Sequence, residues 1–266
     1  MWTNSAGGAL PLQESGKSAI ARFCPYSPLA VSGVFFYVTL WYICQMTTFH
    51  LLTIFPEIFD SYLNESILKR AQEKKLVKFN VVNIREFTLD KHRRTDYRPY
   101  SGGPGLVMFA EPILRAVDAL KKKIAKNKKA KVKVFIMSPG GKQFDNPTAI
   151  KWGKKYTDII LISGRYEGID ARVKKILRAE EISVGPYVLT GGELPAMIIV
   201  DSITRQLPGV LGNCDSPEEK RVSSHEVYTR PEILEWKKKK YKVPKVLLSG
   251  HQANIEAWKL GKSDKK

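Results

Sequence analysis

Glycine and proline crowd one stretch of this chain in a pattern that could shape a small-molecule pocket: Glu181-Ile182-Ser183-Val184-Gly185-Pro186-Tyr187-Val188-Leu189-Thr190-Gly191-Gly192-Glu193-Leu194-Pro195. Gly185 and the Gly191-Gly192 pair are free to take positive φ and let a ligand approach the backbone closely. Pro186 and Pro195 remove amide donors and stiffen the bends. The stretch holds too much Gly and Pro for a regular helix and is too apolar for a solvated linker. Such a loop exposes backbone N–H and C=O groups inside an apolar wall, which suits a flat, mostly uncharged group such as a purine ring. The plainer alternative is a Gly-rich connection between a strand and a helix.

Positioning that loop requires a scaffold, and strands alternate with helices along the chain. Thr48 to Phe55 reads as a strand ending at Pro56, and Glu57 to Lys74 as an amphipathic helix with Ile58, Leu63, Ile67 and Leu68 on one side. Phe79 to Ile84 is a second strand, and Glu111 to Lys123 a helix with Pro112 in its first turn. Val132 to Met137 reads as a short buried strand ending at Ser138-Pro139-Gly140-Gly141, followed by a helix over Thr148 to Tyr156. Asp158 to Ser163 is a strand closing on Gly164-Arg165-Tyr166-Glu167-Gly168. Ala171 to Leu177 is a helix, Glu181 to Val184 a short strand, and Leu194 to Leu207 an apolar helix ending at Pro208-Gly209. This alternation implies an α/β fold with a parallel sheet. Ligands in such sheets bind beyond the carboxyl ends of the strands. The glycine-bearing loops Ser138–Gly141, Gly164–Gly168 and Gly185–Gly192 each follow a strand and could rim one pocket.

Several kinds of site are disfavoured. No GxxxxGK[ST] occurs, no GxGxxG opens a helix after the first strand, and there is no GxSxG elbow. His50, His92, His225 and His251 are scattered without metal-ligand spacing, so no metal site is expected from the residues themselves. Cys24, Cys44 and Cys214 are odd in number and lack CxxC spacing, which fits a reducing cytoplasm rather than a disulfide framework.

Charge points to the partner. The 266 residues carry 44 Lys plus Arg against 26 Asp plus Glu, a net charge of +18. A chain this basic suits a polyanion, nucleic acid first, with general solubility charge as the alternative. Residues 1–28 are rich in Ser, Gly, Ala and Pro, and Leu29 to Cys44 is nearly all apolar. That run is a little short for a membrane span and lacks the flanks of a signal peptide. We read residues 1–45 as a mis-assigned start or a disordered extension, with a membrane anchor as the less favoured alternative, and place the functional start at Met46.

The motifs Asp96-Tyr97-Arg98-Pro99-Tyr100-Ser101-Gly102-Gly103-Pro104-Gly105-Leu106-Val107-Met108, Gly164 to Asp170, and the Gly-rich loop running into Gly192-Glu193-Leu194-Pro195-Ala196-Met197 together resemble the bacterial tRNA (guanine-N1)-methyltransferases. Pro208-Gly209-Val210-Leu211-Gly212, Tyr228-Thr229-Arg230-Pro231 and Val243 to Gly250 continue the match in the same order, over nearly everything from Met46 to Leu260. The resemblance implies the SPOUT class: a parallel sheet with helices on both faces, its C-terminal part threaded into a trefoil knot, and a small helical C-terminal domain. It divides the chain into a methyltransferase domain over 46–211, a linker over 212–226 and a short tRNA-binding domain over 227–266. It implies a homodimer with the site at the subunit interface, S-adenosylmethionine as methyl donor, magnesium as a second candidate ligand, and tRNA as substrate.

Transfer to guanine N1 needs a base for the N1 proton and a cation or donors near O6, where negative charge develops. By resemblance, Val184, Gly185, Pro186, Tyr187, Val188, Leu189, Gly191, Gly192 and Pro195 hold the cofactor. Met137, Ser138, Pro139 and Gly141 complete that pocket together with Gly164, Tyr166, Glu167 and Gly168. Glu167 can equally be a magnesium-side carboxylate or the partner of Arg165. Arg205 matches the catalytic arginine, with a surface or dimer salt bridge as the alternative. His92, Arg93, Arg94, Arg98 and Arg230 are candidates for tRNA phosphates, or else a solvated basic face. The linker departs from the family. It lacks the Glu-Asp-Ser-Phe context of the general base, leaving Glu219 as the nearest carboxylate, with Glu218 or Asp215 behind it. The C-terminal domain also looks shortened. Two other readings therefore stand beside the first: a SPOUT enzyme with another RNA target, and a catalytically weak tRNA-binding relative.

Overall fold

The computed structural model describes residues 46–100, 102–211 and 226–260. The expected extension over 1–45, Glu219 with nearly all of its linker, and the end of the chain lie outside the described residues.

Strand β1 (Thr47–Thr53) is followed by a 3-10 turn at Pro56–Phe59 and helices α1 (Asp60–Leu63) and α2 (Ser66–Glu73). The single amphipathic helix expected here is broken at Asn64-Glu65. The Asn64 side chain donates to the Asp60 carbonyl at 3.0 Å, competing with the helical ladder. Ser66 then restarts the helix from a left-handed φ of 48°. Next come β2 (Val77–Asn83), the short pair β3 (Asp96–Tyr97) and β4 (Val107–Met108), α3 (Ala110–Ile124), β5 (Val132–Gln143) and α4 (Asn146–Lys155). After these lie β6 (Asp158–Ile162), α5 (Ala171–Leu177), β7 (Glu180–Ser183) and α6 (Glu193–Thr204). Residues 226–260 form a hairpin, β8 (Ile233–Trp236) and β9 (Lys239–Lys242), and two short helices, α7 (Lys245–Leu248) and α8 (Gln252–Lys259). This segment is thus a hairpin with helices, and not purely helical as expected. The exposed hairpin's alternation escaped a reading tuned to buried periodicity.

Five strands form one parallel sheet in the order β2-β1-β6-β5-β7. Both of its faces are covered, so its central strands read as nearly continuous apolar runs. Phe49, Leu51, Phe135, Ile159 and Leu161 point to the face packed by α2, α4 and α6. Leu52, Val134, Ile136, Ile160 and Ile162 point to the other, packed by α3 and α5. This alternation of side chains across the pleat is what makes the sheet the middle layer of three. One polar thread crosses it. Asn80 in β2 donates to His50 Nδ1 at 3.0 Å, so His50 Nε2 carries the proton and donates to Asp158 Oδ1 in β6 at 3.1 Å. Burial pushes the Asp158 carboxyl up, but the hydrogen bonds from His50 and Thr157 outweigh it and leave it below its ordinary value.

Candidate functional site

β5 does not end at Met137, as its sequence suggests. Met137 and Lys142 both pair with Ile182 of β7, so Ser138-Pro139-Gly140-Gly141 is a four-residue bulge inside a longer strand. Gly141 is required there: a Cβ would sit 2.5 Å from the backbone of Glu181 and Ile182. The bulge therefore rides directly on β7, whose own end feeds the Gly-rich loop.

That loop folds back at once. Ser183 Oγ donates to the Gly185 carbonyl at 2.9 Å, and the Tyr187 ring lies against Gly185 where a side chain would be. Gly185, Gly191 and Gly192 do not adopt positive φ, contrary to expectation. Their lack of a side chain serves close approach instead. A Cβ on Gly192 would lie 2.7 Å from Ser163 Cα and 2.8 Å from the Gly164 nitrogen, while the Gly192 amide donates to the Gly164 carbonyl at 2.8 Å. The loop is thus pinned to the end of β6. Pro186, Tyr187, Val188 and Leu189 project outward, with Val188 81% exposed. Pro195 and Gly192 are buried beneath them. The Val188 and Leu189 amides have no partner among the described residues, so they are available as donors.

The third loop zips onto a neighbouring segment. Glu167 donates its amide to Leu106 O at 3.0 Å, and Met108 donates to Gly168 O at 2.9 Å. Tyr166 sits at a left-handed φ of 59° with its ring half exposed. The exposed Glu167 side chain covers Gly105, whose φ is 87°. Arg165 is not its partner.

Arg165 turns instead to Glu193, the first residue of α6 and only 1% exposed. Arg165 Nε lies 2.9 Å from Glu193 Oε2 without its N–H aimed at that oxygen, so the contact is an ion pair rather than a hydrogen bond. Glu193 Oε1 accepts from Thr53 Oγ1 at 2.7 Å. The guanidinium also donates from Nη1 to the Thr190 carbonyl at 3.3 Å and lies 5.0 Å over the Phe55 ring. This network ties the ends of β1 and β6 to both sides of the Gly-rich loop. Sequence reasoning missed Thr53 and the pairing of Arg165 with Glu193. The available signal was a lone acid opening an otherwise apolar helix.

Arg205 is carried on the same helix as Glu193. It caps the far end of α6, about 18 Å along the axis from Glu193 at 1.5 Å per residue. Leu194 and Ile198 are exposed on the same helix, and Tyr62 faces Asp201 there; burial first, and then that carboxylate, raises the Tyr62 hydroxyl. With Tyr187, Val188 and Leu189 these residues give the site an apolar outer face. His92, Arg93, Arg94, Arg98 and Arg230 are all exposed. Arg94 is engaged by Asp90, whose carboxyl its side chain and amide hold down to about 2. A surface groove of about 490 Å³ beside that loop, lined by Leu89, Phe109, Arg172 and Ile176, shares no residue with the glycine loops. Among the described residues there is no cluster of metal-ligating side chains, and no helix is long and apolar enough to cross a membrane.

Fold and loops together define a parallel α/β protein with a candidate ligand site beyond the carboxyl ends of adjacent strands. Comparison with known proteins makes this particular: the chain belongs to the tRNA (guanine-N1)-methyltransferase family. The family model described as "tRNA (Guanine-1)-methyltransferase TrmD" matches residues 47–266. The tRNA (guanine-N(1)-)-methyltransferase of Dictyoglomus turgidum is 46% identical over 225 residues, covering 83% of this chain and 86% of that protein. That of Desulforamulus reducens is 44% identical over 213 residues, covering 79% and 81%. The crystal structure of tRNA (m1G37) methyltransferase from Aquifex aeolicus aligns with a TM-score of 0.66 at 39% identity, covering 81% of this chain and 88% of that one.

Proposed function

We propose that this chain transfers the methyl group of S-adenosylmethionine to N1 of the guanine 3′ of the anticodon in tRNA, as a cytoplasmic homodimer. The observation that carries the reading is the meeting of the Met137–Gly141 bulge, the Gly164–Gly168 loop and the Val184–Gly192 loop on adjoining strand ends, in a member of this family. The residues fit the donor. Gly141 and Gly192 close the loops to backbone contact, and the Val188 and Leu189 amides are unpartnered donors for a purine edge. Met137, Ser138, Pro139, Tyr166 and Leu189 would wall the adenosine. Bound there, S-adenosylmethionine supplies an already activated methyl group.

This chain's residues then have two tasks: to align the acceptor and to move one proton. Arg205 is assigned to stabilise the charge developing on guanine O6. Glu219 is assigned to take the N1 proton. The site is read as shared between two subunits, as the family resemblance implies, with Arg205, about 18 Å along α6 from Glu193, supplied to the partner's loops. The exposed apolar face of Tyr187, Val188, Leu189, Leu194 and Ile198 supports that pairing. The trefoil knot and the division into 46–211, a linker and 227–266 belong to the same reading. Glu167, exposed beside the pocket, is the carboxylate for a magnesium ion if one takes part.

The test is methyl transfer from labelled S-adenosylmethionine to a tRNA transcript, with the product nucleoside identified by mass spectrometry. N1-methylguanosine beside the anticodon is expected, with a large loss in Glu219→Ala. No transfer by the wild type to any tRNA overturns the enzyme reading. Full activity of Glu219→Ala removes that residue from the role of base. Methylation of a different RNA position replaces the acceptor assignment.

A further inference from the structure

The glycine loops lie at the carboxyl ends of the parallel strands, and the opposite end of the sheet is rich in lysine. Residues 121–133, from the last turn of α3 into β5, hold eight lysines and no acid. All but Lys133 are exposed. The nearby acids are already engaged: Asp118 by Lys122 at 2.8 Å, Glu180 by Lys133, Glu181 by Lys174 at 2.6 Å, and Asp158 by His50 at 3.1 Å. The ammonium groups of Lys126, Lys128, Lys129 and Lys131 have no ion pair among the described residues. A helix C-terminus favours nearby cations, which accounts for Lys121 to Lys123. The four that follow lie beyond the helix end, where like charges repel, so folding alone does not account for them. Their backbone is fixed. Asn127 Oδ1 accepts from the Lys129 amide at 3.1 Å, and the Ala130 amide donates to the Asn127 carbonyl at 3.0 Å. The Lys131 amide donates to Thr157 Oγ1 at 2.9 Å, and its carbonyl accepts from the Thr157 amide at 3.0 Å. These bonds stitch the turn before β5 to the turn before β6. Lys154 and Lys155, exposed at the end of α4, thereby join the same patch.

The patch offers charge and little else. No large apolar side chain is exposed within 121–133, because the apolar stripe of α3 down to Ile124 is spent in the core. A bilayer surface needs an apolar wedge, a protein partner an apolar centre, and single-stranded nucleic acid exposed rings for its bases. Fixed ammonium groups without those features suit the phosphates of an RNA duplex, which is recognised through shape and backbone. The patch also faces away from the glycine loops: β6 alone runs about 15 Å from Asp158 to Ile162, at 3.3 Å per residue. We propose that Lys126, Lys128, Lys129 and Lys131, with Lys154 and Lys155, form a second RNA-binding surface that takes a base-paired RNA other than the tRNA seated at the glycine loops. The inference goes beyond the methyl-transfer reading and uses none of the tRNA contacts assigned there.

The experiment uses the full chain and a blunt-ended RNA duplex of about 16 base pairs, with affinity measured across a salt series. The triple variant Lys128→Gln, Lys129→Gln, Lys131→Gln removes three charges and leaves the backbone hydrogen bonds in place. Its duplex affinity falls about tenfold or more, and the slope of log affinity against log salt flattens by about 2.7, at roughly 0.9 per duplex phosphate contact. Its thermal midpoint stays at or above the wild-type value, and kcat and KM for methyl transfer to tRNA are unchanged. The variant Lys237→Gln, Lys238→Gln, Lys239→Gln makes the same change of net charge elsewhere and loses less. Wild-type duplex affinity and slope in the first variant overturn the proposal, as does an equal loss in the second, which would leave net charge alone as the cause. A raised KM for tRNA in the first variant gives the surface to the substrate and also overturns it. So does tighter binding of the unaltered chain to phosphatidylserine vesicles than to the duplex. A failure of the methyl-transfer reading shows separately, as no transfer by the unaltered chain, and leaves the duplex test standing.

Discussion

Arg165 and Glu193 face each other at 2.9 Å beneath the Gly-rich loop, one at the end of β6 and the other at the start of α6. The pair is buried enough to depend on mutual neutralisation, and the Thr53 hydroxyl completes it. Removing one partner leaves an uncompensated charge. Arg165→Ala should destabilise the fold by about 3–5 kcal/mol. It should also weaken S-adenosylmethionine binding, because the Thr190 carbonyl loses its anchor. Urea unfolding and calorimetric titration read the two effects, and a variant with wild-type stability contradicts the buried role.

The three glycine positions should not respond alike. Gly192→Ala and Gly141→Ala drive a methyl into backbone at 2.7 Å and 2.5 Å, which cannot yield as a flexible side chain would. Each should cost about 1–3 kcal/mol and impair cofactor binding. Gly140→Ala meets nothing within 4 Å and has no positive φ, so its stability should stay within about 0.5 kcal/mol of wild type. Denaturation midpoints of the three variants give the order directly.

Acid should act through Asp158. Its folded-state carboxyl lies below the ordinary value, so its contribution is complete above about pH 3.9. That contribution is lost as pH falls through the lower folded value. Asp158→Asn should therefore flatten the acid limb of the stability profile below about pH 4 while lowering stability at neutral pH. Unfolding free energies from pH 2 to pH 7 test this; parallel curves for both proteins would count against it.

Arg205→Ala should reduce kcat by about 10²–10³-fold with S-adenosylmethionine affinity unchanged, as expected for a group acting on developing charge. Mixing this variant with a Gly192→Asp chain, which closes the cofactor loop, tests whether the site is shared. Mixed dimers should recover activity, because one interface then holds an intact loop and an intact arginine. No recovery places Arg205 in a site within its own chain.

Much of the scaffold was legible because it obeys local rules. Buried strands such as Ile159-Ile160-Leu161-Ile162 read as apolar runs, and Pro112 marked the first turn of α3. The loops were recognisable from glycine and proline, but their conformations were not. Gly192 is glycine because of a contact with β6, not because of its own φ. β5 looked finished at Met137 because the strand that carries it past the bulge is β7, distant in sequence and silent in any local window. The exposed hairpin lacked the buried face on which strand patterns depend.

The sequence by itself determined the alternating parallel architecture, the residue types at the candidate site and, through ordered motifs, the family. The first two follow from composition and short-range periodicity, and the family from the resemblance of whole motifs. Only the tertiary structure decided that Arg165 answers to Glu193 and not Glu167, and that Gly141 and Gly192 are sites of backbone contact. Each of these is a distance between segments far apart in the chain, set by how two faces of one sheet are filled, and no local signal encodes such a distance.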